Sequence, residues 1–265
     1  MRKRSGFCLA KRSNLVQSVI RALDILETLD TYGELGISEI SDRLDLDKST
    51  VYRIISTLKQ KGCVVQNSTD HKYSNSLKLW EMGNNVVERL GVRRQAQPFM
   101  ERLVIESHET VNLAVMDGKH VIYIDKIESD EIIKADLNVG KRLPSYCTGL
   151  GKAMLAFMPE ERVKELLRDE KFVKHTRKTV NNLQELIKQL EEIRKKGYCI
   201  DDEEYVDGIM CVAAPVMNYK KEVIAAISIA IPKYRIDAGE RDVEHIAGLV
   251  KTAAVELSGQ LGYRS

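Results

Sequence analysis

Residues 36–62, GISEISDRLDLDKSTVYRIISTLKQKG, constrain the fold of this chain most. Ile37, Ile40 and Leu44 recur at helical spacing, and Val51, Ile54, Ile55 and Leu58 repeat the pattern after a break at Asp45-Leu46-Asp47. The spacing predicts two short helices joined by a tight turn. Leu46 is the apolar peg that sets their crossing, and Lys48-Ser49-Thr50 opens the second helix with capping-type side chains. A helix-turn-helix places the first residues of its second helix against base edges in the major groove. Here those residues are Lys48, Ser49, Thr50, Tyr52 and Arg53. Their hydroxyls can bond bases or phosphates, and a guanidinium such as that of Arg53 can bind guanine bidentately.

Plain helical hairpins far outnumber DNA readers, so the flanking sequence decides. No acid stands between Asp47 and Asp70, and Gly62 is a suitable C-terminal stop. Cys63 to Gln66, the polar tip Asn67 to Asp70, and Lys72-Tyr73 then read as strand, turn and return strand, which is a wing. The net charge is only +2, so the case for DNA rests on where the charge lies. Acids crowd the first helices, while Lys48, Arg53, Lys59, Lys61 and Lys72 gather where phosphates would run. A further basic cluster at Arg2, Lys3, Arg4, Lys11 and Arg12 reads equally as an arm tracking phosphates or as a disordered tail.

At 265 residues and 43% apolar content the chain is comfortable as two packed domains. Its five cysteines are odd in number and form no CxxC pair, which argues against a disulfide framework or a zinc cluster and for a reducing compartment. There is no signal-peptide core, and the longest apolar run, Val223 to Ile231 interrupted by Ser228, is strand-sized. The expectation is a soluble, cytoplasmic protein with no membrane partner.

A first helix is expected from a cap at Ser13 or Asn14 to about Leu29, ended by Thr31-Tyr32-Gly33. After the wing, Ser76 to Leu90 reads as a linker helix weakened at Gly83-Asn84-Asn85, with Trp80 packing at a domain junction. Arg93 to Ser107 is another helix. Val111 to Met116 and Val121 to Ile127 flank Asp117-Gly118, a hairpin signal. Ile132 to Leu137 is read as a third strand ended by Lys141-Arg142-Leu143-Pro144. Helices are expected over Thr148 to Phe157, from Pro159 to about Leu167, and over Asn182 to Lys196. Two long strands, Ile209 to Met217 and Val223 to Ile231, precede a last helix capped by Asp237 and reaching about Leu261. The predicted fold class is α+β: a winged helix-turn-helix over residues 1–75, a linker helix over 76–90, and an antiparallel sheet flanked by helices over 91–265.

Catalytic motifs are not in evidence. Gly149-Leu150-Gly151-Lys152 fails as a phosphate loop, because Tyr146 holds the first glycine position and Ala153 replaces the metal-binding hydroxyl. Its glycines either let helix-start amides face a small anion or permit close packing. Asp201 to Glu204 is an acid run of the usually solvated kind, and the five histidines lack ligand spacing. No metal or cofactor is expected.

The chain resembles the IclR family of bacterial transcriptional regulators. The resemblance is carried by NLVQSVIRALDILETL, DLDKSTVYRIISTLKQKG, LPSYCTGLGKAMLAF, and GYCIDDEEYVDGIMCVAAPV followed by AAISIAIP, four blocks in order from about Leu15 onward. It implies a GAF-like C-terminal domain that binds a small carboxylate effector, such as one from sugar-acid or aromatic breakdown. It also implies homodimers or homotetramers on palindromic operators, commonly as repressors. By family position the effector pocket should involve Gly149, Leu150, Asp201, Cys211 and Ser228. Where some members carry a second serine, this chain has Ala230, so one donor is missing. The resulting expectation is a ligand-responsive repressor of a catabolic operon. Its rivals are an enzyme fused to a DNA-binding module and a constitutive DNA-binding oligomer.

Overall fold

A computed structural model of the protein describes residues 15–132 and 138–264. The chain divides into two compact units, Met1–Val86 and Val87–Ser265.

In the first unit, α1 (Gln17–Tyr32), α2 (Ile37–Leu44) and α3 (Lys48–Gln60) precede β1 (Val64–Gln66), β2 (Tyr73–Asn75) and the start of α4 (Leu77–Leu90). The hydrophobic periodicity explains the packing. Ile25 and Leu29 of α1, Ile40 of α2, Val51 and Ile55 of α3, and Val64 and Tyr73 of the wing share one small core. Leu46 packs against it from the turn, as its apolar character requires. That turn is pinned by sequence: Asp45 adopts a left-handed φ of 50°, and the Ser41 hydroxyl donates to the Leu46 carbonyl at 2.6 Å. The Leu46 amide returns a bond to the Ser41 carbonyl at 3.1 Å.

Several local expectations are corrected here. α1 begins at Gln17 after Val16, with no side-chain cap, and runs on to Tyr32; Ser13 and Asn14 lie outside the described residues. α3 has Asp47 at its N-cap without a side-chain bond, so Ser49 and Thr50 do not cap it. α4 is continuous through Gly83-Asn84-Asn85. Trp80 is 68% exposed.

The second unit opens with α5 (Val92–Ser107) and the hairpin β3 (Thr110–Asp117) and β4 (His120–Ile127). β5 (Arg142–Pro144), a 3-10 turn at Ser145–Cys147, α6 (Gly149–Leu155), α7 (Glu160–Leu166) and α8 (Leu183–Lys196) follow. β6 (Cys199–Asp202), β7 (Ile209–Met217), β8 (Val223–Pro232), α9 (Lys233–Asp237) and α10 (Val243–Gln260) complete it. The strands form one antiparallel sheet in the order β5-β4-β3-β8-β7-β6. Both edge strands were unforeseen. Arg142–Pro144 does not merely end an element but pairs with β4, and the start of the acid run pairs with β7 as β6. The strand expected over Ile132 to Leu137 falls almost wholly outside the described residues, and Ile132 lies in a bend. The final helix is capped by Asp242, whose carboxylate accepts from the Glu244 amide; Asp237 instead ends the short α9.

Alternation divides the sheet between two cores. Val111, Leu113, Val212, Ala214, Ile227 and Ile229 pack against α5 and α10 through Met100, Leu103, Val250 and Leu257. The opposite, inner face presents Ala114, Tyr123, Ala213 and Ala226 to Leu150, Met154 and Leu190 of α6 and α8. Small residues on that face let α6 approach closely. A Cβ on Gly149 would meet those of Asp201, Cys211 and Ala213 at 3.3–3.5 Å, and one on Gly151 would overlap the Ser145 backbone.

Candidate nucleic-acid interface and ligand pocket

α3 buries Val51 and Ile55 and packs Ile54 against the same core, which leaves Tyr52 and Arg53 facing outward. Ser49, Tyr52, Arg53, Ser56 and Gln60 fall at helical spacing on the exposed side, with Lys48 beside them and Thr50 half-buried. Among the described residues, Arg53 has no ion-pair partner. Lys59 donates to the Gln66 side chain at 2.8 Å, which ties the end of the helix to the wing. Lys72, also on the wing, lies 3.7 Å from the Glu39 carboxylate, itself held by the Gly36 amide at 2.7 Å. A shallow groove lined by Tyr52, Ser56, Lys59, Gln60, Gln66 and Tyr73 runs between helix and wing. The seven residues singled out for DNA thus lie on one helix and its wing. The arrangement can lay hydroxyls and a guanidinium in a major groove while lysines neutralise phosphates.

In the second unit, Gly149, Asp201, Cys211 and Ser228 come together although they lie far apart in sequence. Asp201 pairs with Cys211 across β6 and β7, and Cys211 with Ala230 across β7 and β8. Ser228 sits one row away, opposite Ala213 and Asn112. Leu150 is buried against the same face from α6.

Asp201 and Glu204 correct the reading of the acid run as solvated: they are 5% and 7% exposed. The Asp201 carboxylate accepts from the Gly149 and Glu204 amides, both at 2.9 Å. The Gly151 amide donates to the Thr148 hydroxyl at 3.3 Å. Two helix-start amides are therefore committed within the chain, and the glycines serve close packing. Glu204 forms a buried ion pair with Lys152, which also reaches Gln189 at 3.2 Å. Burial pushes Asp201 and Glu204 above the usual carboxylate range, against the pull of Lys152. Burial alone would lower Lys152, but Cys199, Glu204 and Asp201 around it hold it above its ordinary value.

Cys147 and Cys199 are buried, and burial pushes each thiol up to about 12; burial also raises Cys211, with Asp201 beside it. Such thiols are poor nucleophiles. Cys211 is half-buried between the buried Met210 and Val212. Tyr123, which the sequence reading missed, joins the group from β4. Burial, then Cys211 and Asp201, raise its phenol well above the ordinary value, so it remains a neutral hydroxyl. Asn112 on β3 was missed as well. A polar residue inside the otherwise apolar run VNLAVM was the signal that could have found it. Among the described residues, no group of three or more His, Cys, Asp or Glu is placed to hold a metal ion, and no helix is long and apolar enough to cross a membrane.

A winged helix with an exposed, partly basic recognition face, joined to an α+β domain whose apolar inner sheet face carries a few polar groups, is the arrangement of a DNA-binding regulator of the sensor type. Comparison with known proteins makes the assignment specific. The IclR helix-turn-helix profile matches residues 18–68, and the profile described as bacterial transcriptional regulator IclR C-terminal matches residues 84–259. The chain belongs to the IclR family of transcriptional regulators. It is 36% identical over 255 residues to the HTH-type transcriptional regulator KdgR of Dickeya chrysanthemi, covering 96% of this chain and 83% of that one. It is 34% identical over 250 residues to XynR of Escherichia coli, covering 94% and 98%. The Thermotoga maritima IclR structure superposes with a TM-score of 0.78 at 32% identity, over 93% of this chain and 99% of that one. An IclR homologue from Microbacterium hydrocarbonoxydans, complexed with 4-hydroxybenzoate, gives 0.79 at 25% identity over 92% and 98%. These relatives are regulators rather than enzymes.

Proposed function

We propose that this regulator represses a catabolic operon by binding a palindromic operator as a homodimer or homotetramer, and that a small carboxylate such as a sugar acid releases or re-sets it. In this reading Lys48, Ser49, Thr50, Tyr52 and Arg53 meet the operator, with Lys59 and Lys72 on phosphates. Ser228 and Cys211 face the effector, while Gly149, Leu150 and Asp201 shape its wall. The observation that carries the proposal is the gathering of Ser228, Cys211 and Tyr123, with Asp201 and Asn112, on a sheet face whose remaining residues Ala114, Ala213 and Ala226 are small and apolar. A face of this kind, mostly apolar with a few convergent polar groups, suits a small polar ligand. The carboxylate bound by the Microbacterium hydrocarbonoxydans homologue supports the ligand class. Exposed Val19 and Leu23 on α1, with Leu77, Trp80 and Val86 on α4, support pairing of two copies.

An effector can change operator affinity only through its differential affinity for two states of the protein. The test is a thermal-shift screen against 2-keto-3-deoxygluconate, glyoxylate, pyruvate and hydroxybenzoates, followed by titration of an operator selected from a random DNA library. A ligand that binds only the folded state adds about 2.7 kcal/mol at a hundredfold excess over Kd. A selective stabiliser that also weakens operator binding is the expected result. Operator affinity untouched by every stabilising acid would defeat the proposal.

A further inference from the structure

Asn112 lies in the middle of β3 and is 1% exposed. Its neighbours Val111 and Leu113 belong to the core beneath α5 and α10, so alternation turns Asn112 to the inner face. There it stands opposite Ser228, in one cross-strand row with Ala213, while the next row holds Ala114 and Ala226. Among the described residues its buried carbonyl oxygen has no hydrogen-bond partner. A buried carbonyl oxygen left unpaired is costly, and an apolar residue would spare this strand that cost. In the adjacent row, two residues beyond Ser228 and opposite Thr110 and Cys211, Ala230 is small and offers no donor, so Asn112 and Ser228 supply the polar groups on this part of the face.

An amide carries a donor and an acceptor together, as a ligand hydroxyl does. A carboxylate accepts only, and would leave the Asn112 oxygen unanswered. We infer that Asn112 is a specificity residue of the sensor pocket, its amide pairing beside Ser228 with a ligand hydroxyl and so selecting a hydroxyl-bearing carboxylate over the corresponding bare acid. The inference rests on the carboxylate reading above. A site built around a hydrogen bond discriminates strongly against an analogue that lacks the group, because its own buried partner is then stranded.

The test uses the full-length protein and two matched pairs of probes that differ by one hydroxyl: lactate against propionate, and 4-hydroxybenzoate against benzoate. Calorimetric titration should show a preference of about tenfold or more for the hydroxylated member of at least one pair. Asn112→Ala should abolish that preference with little change in affinity for the bare acid, whereas Ser228→Ala should weaken both members. Asn112→Ser, which keeps a donor and an acceptor, should retain part of the preference and also serves if the alanine variant does not fold. Acids that bind without preference, or an Asn112→Ala variant that weakens both members of a pair equally, would overturn the inference and leave the carboxylate reading standing. Binding of neither pair would overturn both.

Discussion

The carboxylate of Asp201 on the edge strand β6 closes the start of α6 by accepting the Gly149 amide at 2.9 Å. It is a long-range bond between two residues that meet only in the folded sensor unit, and the same side chain also takes the Glu204 amide. Asp201→Ala should cost about 1–3 kcal/mol for each amide left unpaired. Chemical denaturation followed by circular dichroism will read the loss, and an unchanged midpoint would show that water replaces the carboxylate. The raised pKa sets the sign of the pH effect. Asp201 contributes stability below the ordinary aspartate range and loses it as the pH rises through the raised folded value. Asp201→Asn stays neutral, so the advantage of the wild type over this variant should shrink as the pH rises through that window.

Gly151 and Gly248 should respond oppositely to alanine. At Gly151 the new Cβ would overlap the Ser145 carbonyl oxygen, a backbone atom that cannot swing aside. Overpacking of this kind costs about 1–3 kcal/mol. At Gly248, inside α10, nothing lies within 4 Å, and helix propensity favours alanine by about 0.5–1 kcal/mol. Melting temperatures of the two variants give the contrast directly, and a stabilised Gly151→Ala would refute the close approach of α6.

Arg53→Ala should lower operator affinity by about 1–3 kcal/mol and relax selectivity at a single base pair. Lys59→Ala should weaken all sequences alike and reduce the salt slope by about one. Fluorescence anisotropy on the selected operator and its single-base variants, at several salt concentrations, separates the two. Equal loss on every sequence would move Arg53 to a phosphate.

The sensor cysteines should resist alkylation. With thiols pushed up to about 12, Cys147 and Cys199 hold on the order of one thiolate in ten thousand at pH 8. Cys63, half-buried in the first unit, should react well before them. Iodoacetamide labelling of native protein followed by peptide mass analysis checks the order. Reactivity of the buried pair should appear only as the pH climbs toward 12 or the protein unfolds.

Elements with a strong repeat were legible from sequence. The two helices about Leu46, the hairpin at Asp117-Gly118 and the long strands ending near Met217 and Ile231 follow hydrophobic period alone. The edge strands were not. Arg142–Pro144 is too short to show alternation, and Asp201 is buried only because amides and Lys152 answer its charge from elsewhere in the chain. The last helix was misplaced because Asp237 and Asp242 are equally good caps, and the turn at Gly239, with φ of 74°, chooses the later one. Family resemblance pointed to five pocket positions that the fold gathers about one sheet face. Asn112 left one trace, a polar residue inside VNLAVM, whereas Tyr123 left none, since an aromatic residue suits either face of a buried strand until pairing turns it inward.

The central ladder of the sensor sheet joins β3 to β8, with Thr110 opposite Ala230 and Ala114 opposite Ala226. This seam cannot close until most of the chain has left the ribosome, whereas the winged helix draws its core from residues up to Tyr73. Contacts so distant in sequence are slow to form, and domains emerging first fold first. During each round of synthesis the DNA-reading unit is therefore ready before the unit that governs it. A chain halted before β8 would keep its winged helix intact but lack a finished sensor, yielding a truncated product deaf to its effector.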